Sequence, residues 1–211
     1  EKLATEELFP TDGHTLVQCV TYSGHSPFII PEESKRISFS DKLPERLRNY
    51  MVVANYTDYA IGQFITFLRS QKKFENTMIV ITGDHEGFGL TRKPLYEHAL
   101  GKDIISPERF TPLIVLNSPV HLRYEKVMGQ VDLYPTLLDL LGADDYPWRG
   151  LGESILSSGK KAFAISPQME IIGDTVGVST AEIQHAKDAW RVSDLIISCD
   201  YFAHGRTGDK K

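Results

Sequence analysis

The sequence predicts an α/β fold, a mainly parallel sheet sandwiched between helices, and three observations point to it. Short continuous apolar runs read as strands buried on both faces, amphipathic stretches at helical spacing fall between them, and each run ends in a turn marked by Gly, Ser or Asn.

A chain of 211 residues with 41% hydrophobic residues is long enough for one sizeable domain or two small ones. The net charge of −5, with no cluster of Lys and Arg, argues against a nucleic-acid surface. No stretch reaches the roughly 18 consecutive apolar residues of a membrane span, and Glu1 to Glu7 lacks the basic and apolar regions of a leader, so the chain itself reads as soluble. A segment cut from a longer anchored protein would look the same, which leaves the compartment open. Cys19 and Cys199 sit in apolar settings far apart in sequence and are expected to be free, buried thiols.

Thr15 to Tyr22 is apolar, β-branched and short, and it predicts a buried strand that runs into a turn at Ser23-Gly24, with His25 on that turn. Pro27 to Pro44 carries prolines and serines without a sustained period and predicts a surface loop. From about Pro44 to Lys73, Leu47, Met51, Ala54, Ile61, Ile65 and Leu68 recur at helical spacing, with Lys72 and Lys73 suiting the last turn. Asp58 falls on that stripe, where a carboxylate needs a partner, and is expected to be structural.

Thr77 to Thr82 predicts a second buried strand that leads into Gly83-Asp84-His85, and Pro112 to Leu116 a third, bounded by Asn117-Ser118-Pro119. A loop with Pro94 and Pro107 joins them. Asp132 suits the N-cap of a helix through Leu141, because Pro135 fits only a first turn and Gly142 can close the C-terminus. The tail offers short apolar runs at Ala162 to Ile165 and Met169 to Ile172, then a helix from about Thr180 to Ser198.

In open α/β sheets ligands bind beyond the carboxyl ends of the strands, where both His25 and the Asp84-His85 pair are expected. Adjacent Asp and His offer a hard oxygen and an imidazole nitrogen, a set suited to a divalent ion such as Mn²⁺ or Zn²⁺. Gly83, Gly87 and Gly89 would let the backbone come close. Taken alone, the pair is weak and reads better as an Asx-turn beside a polar histidine. Ser23, Ser26 and Thr82 are hydroxyls near these turns, but each fits a turn or strand end and none stands out as a nucleophile.

The run Ile79 to Gly87, ending Thr82-Gly83-Asp84-His85-Glu86-Gly87, resembles the apolar strand and G/S-D-H-G metal motif of the sulfatase and alkaline phosphatase superfamily. Ser23-Gly24-His25-Ser26-Pro27-Phe28 resembles the H-x-P-[FY] turn of the lipoteichoic acid synthase branch, also called phosphoglycerol transferases. Gln130 to Leu138 is similar to that branch's Q-x-D-[LIV]-x-P-T-[LIV]-L helix, and Tyr56 to Leu68 to its Y-x-D-x-A-[LI]-G-x-F-I helix.

The resemblance runs from about Thr15 to Ser154 and implies an alkaline phosphatase-like fold present as a partial domain. It implies that residues 1–156 are the C-terminal part of the catalytic domain and 157–211 an extension of it. It assigns Asp84 and His85 to one divalent metal, Mn or Zn with Mg or Ca as alternatives, and His25 to the substrate's phosphate as a catalytic and substrate-binding residue. The implied protein is an enzyme on the extracytoplasmic face of a bacterial membrane, acting on phosphate or sulfate esters, lipid-linked ones among them, through a covalent nucleophile upstream of this chain. The implied partner is the missing N-terminal half of the catalytic domain, without which the chain is expected to be inactive.

Two departures matter. The family's nucleophile is not recognisable here, and Glu86 follows His85 where synthases carry an aromatic residue, which leaves the substrate open. A soluble sulfatase or phosphodiesterase, and a non-catalytic module that binds anionic polymers, stand as alternatives.

Overall fold

Pro44 stands at the N-cap of the long helix α1, Glu45–Ser70, in the computed structural model. The structure describes residues 13–85, 110–143, 145–147 and 150–205. These fall in two compact units, Glu1–Asn117 and Ser118–Lys211.

In the first unit α1 buries Leu47, Val52, Val53 and Leu68. Val53, 1% exposed, lies in a small core with Phe28, Ile30 and Val52, flanked by Phe39, Tyr50 and Tyr56. A 3-10 turn, Lys72–Phe74, ends the helix and buries Phe74. Asp58 is exposed, not a buried structural carboxylate. At about 100° per residue it points roughly 140° away from Val53, the centre of the buried stripe.

Strand β1, Ile79–Thr82, pairs antiparallel with β2, Leu113–Leu116, in the register Ile79↔Leu116 to Thr82↔Leu113. The expected parallel pairing is therefore not what joins them. The antiparallel form, with its hydrogen bonds perpendicular to the strands, is the slightly more stable pairing per residue. Asn117, at φ 56, closes it by donating from Nδ2 to Thr77 O at 2.9 Å.

Thr15 to Tyr22 is not a strand, and Leu16, Val20 and Tyr22 are 91, 81 and 82% exposed. An apolar strand needs a hydrogen-bonded neighbour and a cover on each face, and among the described residues it has no strand beside it. Cys19, on this segment, is free and exposed rather than buried, as is Cys199 in the second unit.

The second unit begins with a 3-10 turn, Gln130–Asp132, that runs into α2, Leu133–Leu140. Gly142 at φ 69 ends α2 by donating to Asp139 O at 3.1 Å while Ala143 donates to Leu138 O at 2.9 Å, the paired bonds of a Schellman motif. Strands β3, Phe163–Ile165, and β4, Ile171–Gly173, form a hairpin, and α3, Thr180–Ser198, starts from a Ser179–Glu182 capping box. The Ser179 backbone and hydroxyl donate to Glu182 and hold its carboxyl below the usual range. Trp190 on α3 ties helix to hairpin by donating from Nε1 to Ile165 O at 3.1 Å. A short helix α4, Tyr201–Gly205, follows.

Asp132 stands at the N-cap position of α2, but its side chain makes no capping bond to that helix and turns to other donors. Its carboxylate, 3% exposed, accepts from Gly129 N at 2.8 Å and Glu153 N at 2.9 Å and pairs with Lys160 Nζ at 2.9 Å. Thr136, 2% exposed, donates to Asp132 O at 2.6 Å and accepts from Ile155 N at 3.1 Å. A Cβ on Gly152 would lie 1.9 Å from Val131 O, so only glycine lets this loop lie against the turn. Burial, and then the charges of Asp132 and Glu153, push the Tyr124 phenol above its ordinary value.

Asp132→Ala strands the buried Lys160 ammonium and two backbone donors and is expected to cost about 3–5 kcal/mol. Asp58→Ala should stay within about 0.5 kcal/mol. Urea denaturation of both variants checks the contrast, and equal midpoints would contradict it.

Candidate functional site

The His25 turn is built by short-range bonds and held by one buried ring. His25 N donates to Tyr22 O at 3.0 Å and Phe28 N donates to His25 O at 3.1 Å. Phe28 then sinks into the core, 6% exposed, edge-on to Tyr50 with ring centroids 5.3 Å apart. It does so at φ 64, a left-handed conformation unfavourable for a bulky residue, so ring burial has to outweigh local strain.

The turn fixes the imidazole. Nδ1 lies 2.8 Å from Ser26 O, and because a carbonyl only accepts, Nδ1 carries the proton there. The ring stacks on Tyr22 at 5.8 Å between centroids and 11° between planes. Nε2 is left to meet a ligand. His25 lines a pocket of about 210 Å³ together with Tyr22, Ser26, Ile29 and Tyr56.

Asp84 and His85 follow β1 directly, and both side chains are exposed, 89 and 75%. Their Oδ1 and Nε2 atoms are 3.7 Å apart. Two ligands each about 2.1 Å from one tetrahedral ion would be about 3.4 Å apart, so a small rotation lets the pair share a metal. Gly83 keeps the approach narrow: a Cβ there would meet Thr111 Cβ at 3.2 Å. Thr82 Oγ1 donates to Gly83 O at 3.3 Å, in keeping with a strand-end role. Glu86, Gly87 and Gly89, and the loop with Pro94 and Pro107, lie outside the described residues.

Among the described residues, no three His, Cys, Asp or Glu side chains gather closely enough to hold an ion, so an ion at Asp84 and His85 would need further ligands. His25 is not grouped with them. The expectation of a common sheet edge also loses its basis, since Thr15 to Tyr22 forms no strand. Sequence reasoning missed Lys160 and Gly152, which carry no local motif and are explained only by contacts with the Asp132 turn.

Residues 3–143, more than half of the chain, match the sulfatase family, and the chain belongs to that family. It is 32% identical over 155 residues to the lipoteichoic acid synthase-like protein YvgJ of Bacillus subtilis (strain 168), covering 69% of this chain and 25% of the relative. It is 30% identical over 146 residues to the lipoteichoic acid synthase of Staphylococcus aureus (strain USA300), covering 66% of this chain and 22% of the relative. The chain thus spans about a quarter of the length of the curated relatives it matches.

Removing the anchoring ring should loosen the histidine without touching it. Phe28→Ala keeps the strained φ, loses the burial that offsets it, and is expected to cost about 3–5 kcal/mol. Thermal unfolding measures the loss, and an unchanged melting temperature would mean that Phe28 does not hold the turn.

Proposed function

We propose that this chain is the C-terminal portion of a metal-dependent phosphoglycerol transferase-like enzyme of the sulfatase superfamily, acting on phosphate esters through a nucleophile supplied by the rest of the protein. The observation that carries the proposal is the Asp84–His85 pair, a carboxylate and an imidazole 3.7 Å apart directly after a strand, in a chain of this family. The likeness to proteins named lipoteichoic acid synthase favours the transferase over a sulfatase.

Asp84 and His85 would hold one divalent ion, Mn²⁺ or Zn²⁺, which when bound supplies positive charge against the charge that develops on the transferring group. His25 acts separately. With Nδ1–H committed to Ser26 O, Nε2 is the atom turned to the substrate, where its cationic form would donate to a non-bridging phosphate oxygen, and the stack on Tyr22 sets the direction of that atom. The same Nε2–H can be given up to a leaving alkoxide.

No described helix is long and apolar enough to cross a membrane. By likeness to the synthases, the intact protein works on the outer face of a bacterial membrane, and its substrate is a lipid-linked phosphate ester. The chain by itself, with two metal donors, is inactive.

In the full-length protein Asp84→Ala is expected to abolish both metal binding and phosphodiester turnover. His25→Ala should slow turnover about 10²–10³-fold with metal affinity nearly intact. Metal titration beside turnover separates the two, and equal loss of metal in both variants would refute the division of roles. Robust hydrolysis by this chain alone, surviving Asp84→Ala, would sink the proposal itself.

A further inference from the structure

Helix α3 uses one side to hold the second unit together and leaves the other side open. Trp190, with Ile183 and Ala186 half-buried on the same side, faces the β3–β4 hairpin. At about 100° per residue, Val192 and Leu195 point about 140–160° away from Trp190, and they are 47 and 61% exposed. The apolar surface continues past the helix end. Tyr201 and Phe202 are 63 and 69% exposed and meet edge-on, with ring centroids 5.5 Å apart. These four side chains leave on the order of 500 Å² of mainly apolar surface in water, as much as the largest patch on an ordinary monomer. A standard interface takes about 800 Å² from each partner, so the patch and a polar rim suffice for one.

The rim carries both signs in a fixed order. Arg191 and Asp194 are exposed on one flank of the Val192–Leu195 stripe, about a turn apart, with the cation first. Arg191 reaches Asp188 at 3.8 Å, and Asp194 has no ion-pair partner among the described residues. When two such helices pack antiparallel across a two-fold axis, the same flanks meet with their order reversed. With Val192 against the partner's Leu195, each Arg191 then falls within about one helical turn of the partner's Asp194. A parallel pair sets the two on opposite flanks. An anionic membrane is the rival occupant, because Arg206, Lys210 and Lys211 follow in sequence. Asp194 and Asp200, exposed at the patch, count against it, since such a surface repels carboxylates.

We infer that this face is a self-association surface. A second copy of the protein docks on it with the two α3 helices antiparallel, Val192 and Leu195 interleaved at the two-fold axis and Arg191 paired with the partner's Asp194. The inference uses the second unit alone and stands apart from the proposed reaction.

The test is sedimentation of the full-length protein in mild detergent, with the charge order reversed one residue at a time. The unaltered protein is expected to dimerise. Leu195→Asp should weaken the dimer at least about a hundredfold, because it sets a carboxylate at the centre of the contact. Arg191→Asp and Asp194→Arg should each weaken it about tenfold, and the two together should restore it to within about threefold. Both charged side chains are exposed, so the reversals should keep the fold, which circular dichroism checks. Where Leu195→Asp fails to fold, the reversals still decide. A monomer at every concentration, a dimer indifferent to Leu195→Asp, or a double reversal no better than the single ones would overturn the inference. So would a monomer that floats with phosphatidylglycerol vesicles and loses that binding in Leu195→Asp, which would give the patch to the membrane.

Discussion

Burial of Phe28 against α1 is the contact on which the first unit's candidate site depends. The small core it shares with Ile30, Val52 and Val53 stabilises little by the standard of a full domain, about 1.5–3 kcal/mol for each side chain removed from water. That suffices to hold one turn at a positive φ. Because Phe28 N bonds to His25 O and His25 N to Tyr22 O, the ring's position is passed through three residues of backbone to the imidazole. The aromatic residue of the H-x-P-[FY] pattern thus has a mechanical reason, independent of contact with any ligand.

The second unit rests on a different kind of interaction. A buried ion pair adds little net stability when its desolvation is counted, but once formed it cannot be half removed. Asp132 meets three donors, from Gly129, Glu153 and Lys160, and Thr136 adds a bridge to Ile155, so one short helix start holds a distant loop against it. The Asp, Pro and Thr of the Q-x-D-x-x-P-T pattern are accounted for as scaffold. Resemblance through this segment supports membership of the family more than it supports any chemistry.

Local signals in the sequence were read correctly where the structure is local. The helix from about Thr180 to Ser198, the glycine stop at Gly142, the long helix after Pro44 and the two short runs that became β3 and β4 need only their own neighbours to form. Legibility failed where an element needs a partner that the pattern does not name. Thr15 to Tyr22 has the composition of a buried strand but, among the described residues, neither ladder nor cover, and Asp58 was misplaced because Met51 and Ala54 were taken as the buried line in place of Val52 and Val53. The strands at 79–82 and 113–116 were found, yet their relative direction is set by pairing, which apolar runs do not encode. In the candidate site, Gly83, Asp84, His85 and His25 were legible as turn residues after apolar runs. The stack of Tyr22 on His25 was not, since one ring lying on another leaves no mark in sequence spacing.

Asp84 and His85 are as open to water as the apolar segment at Thr15 to Tyr22. Carboxylate and imidazole 89 and 75% exposed are well hydrated, and in water two such ligands bind a divalent ion weakly, because each bond formed displaces a good aqueous one. Affinity comes from adding ligands and from excluding solvent, and both require more protein around the turn. Leu16, Val20 and Tyr22 are a second exposed feature of the same unit, apolar surface 91, 81 and 82% open to water.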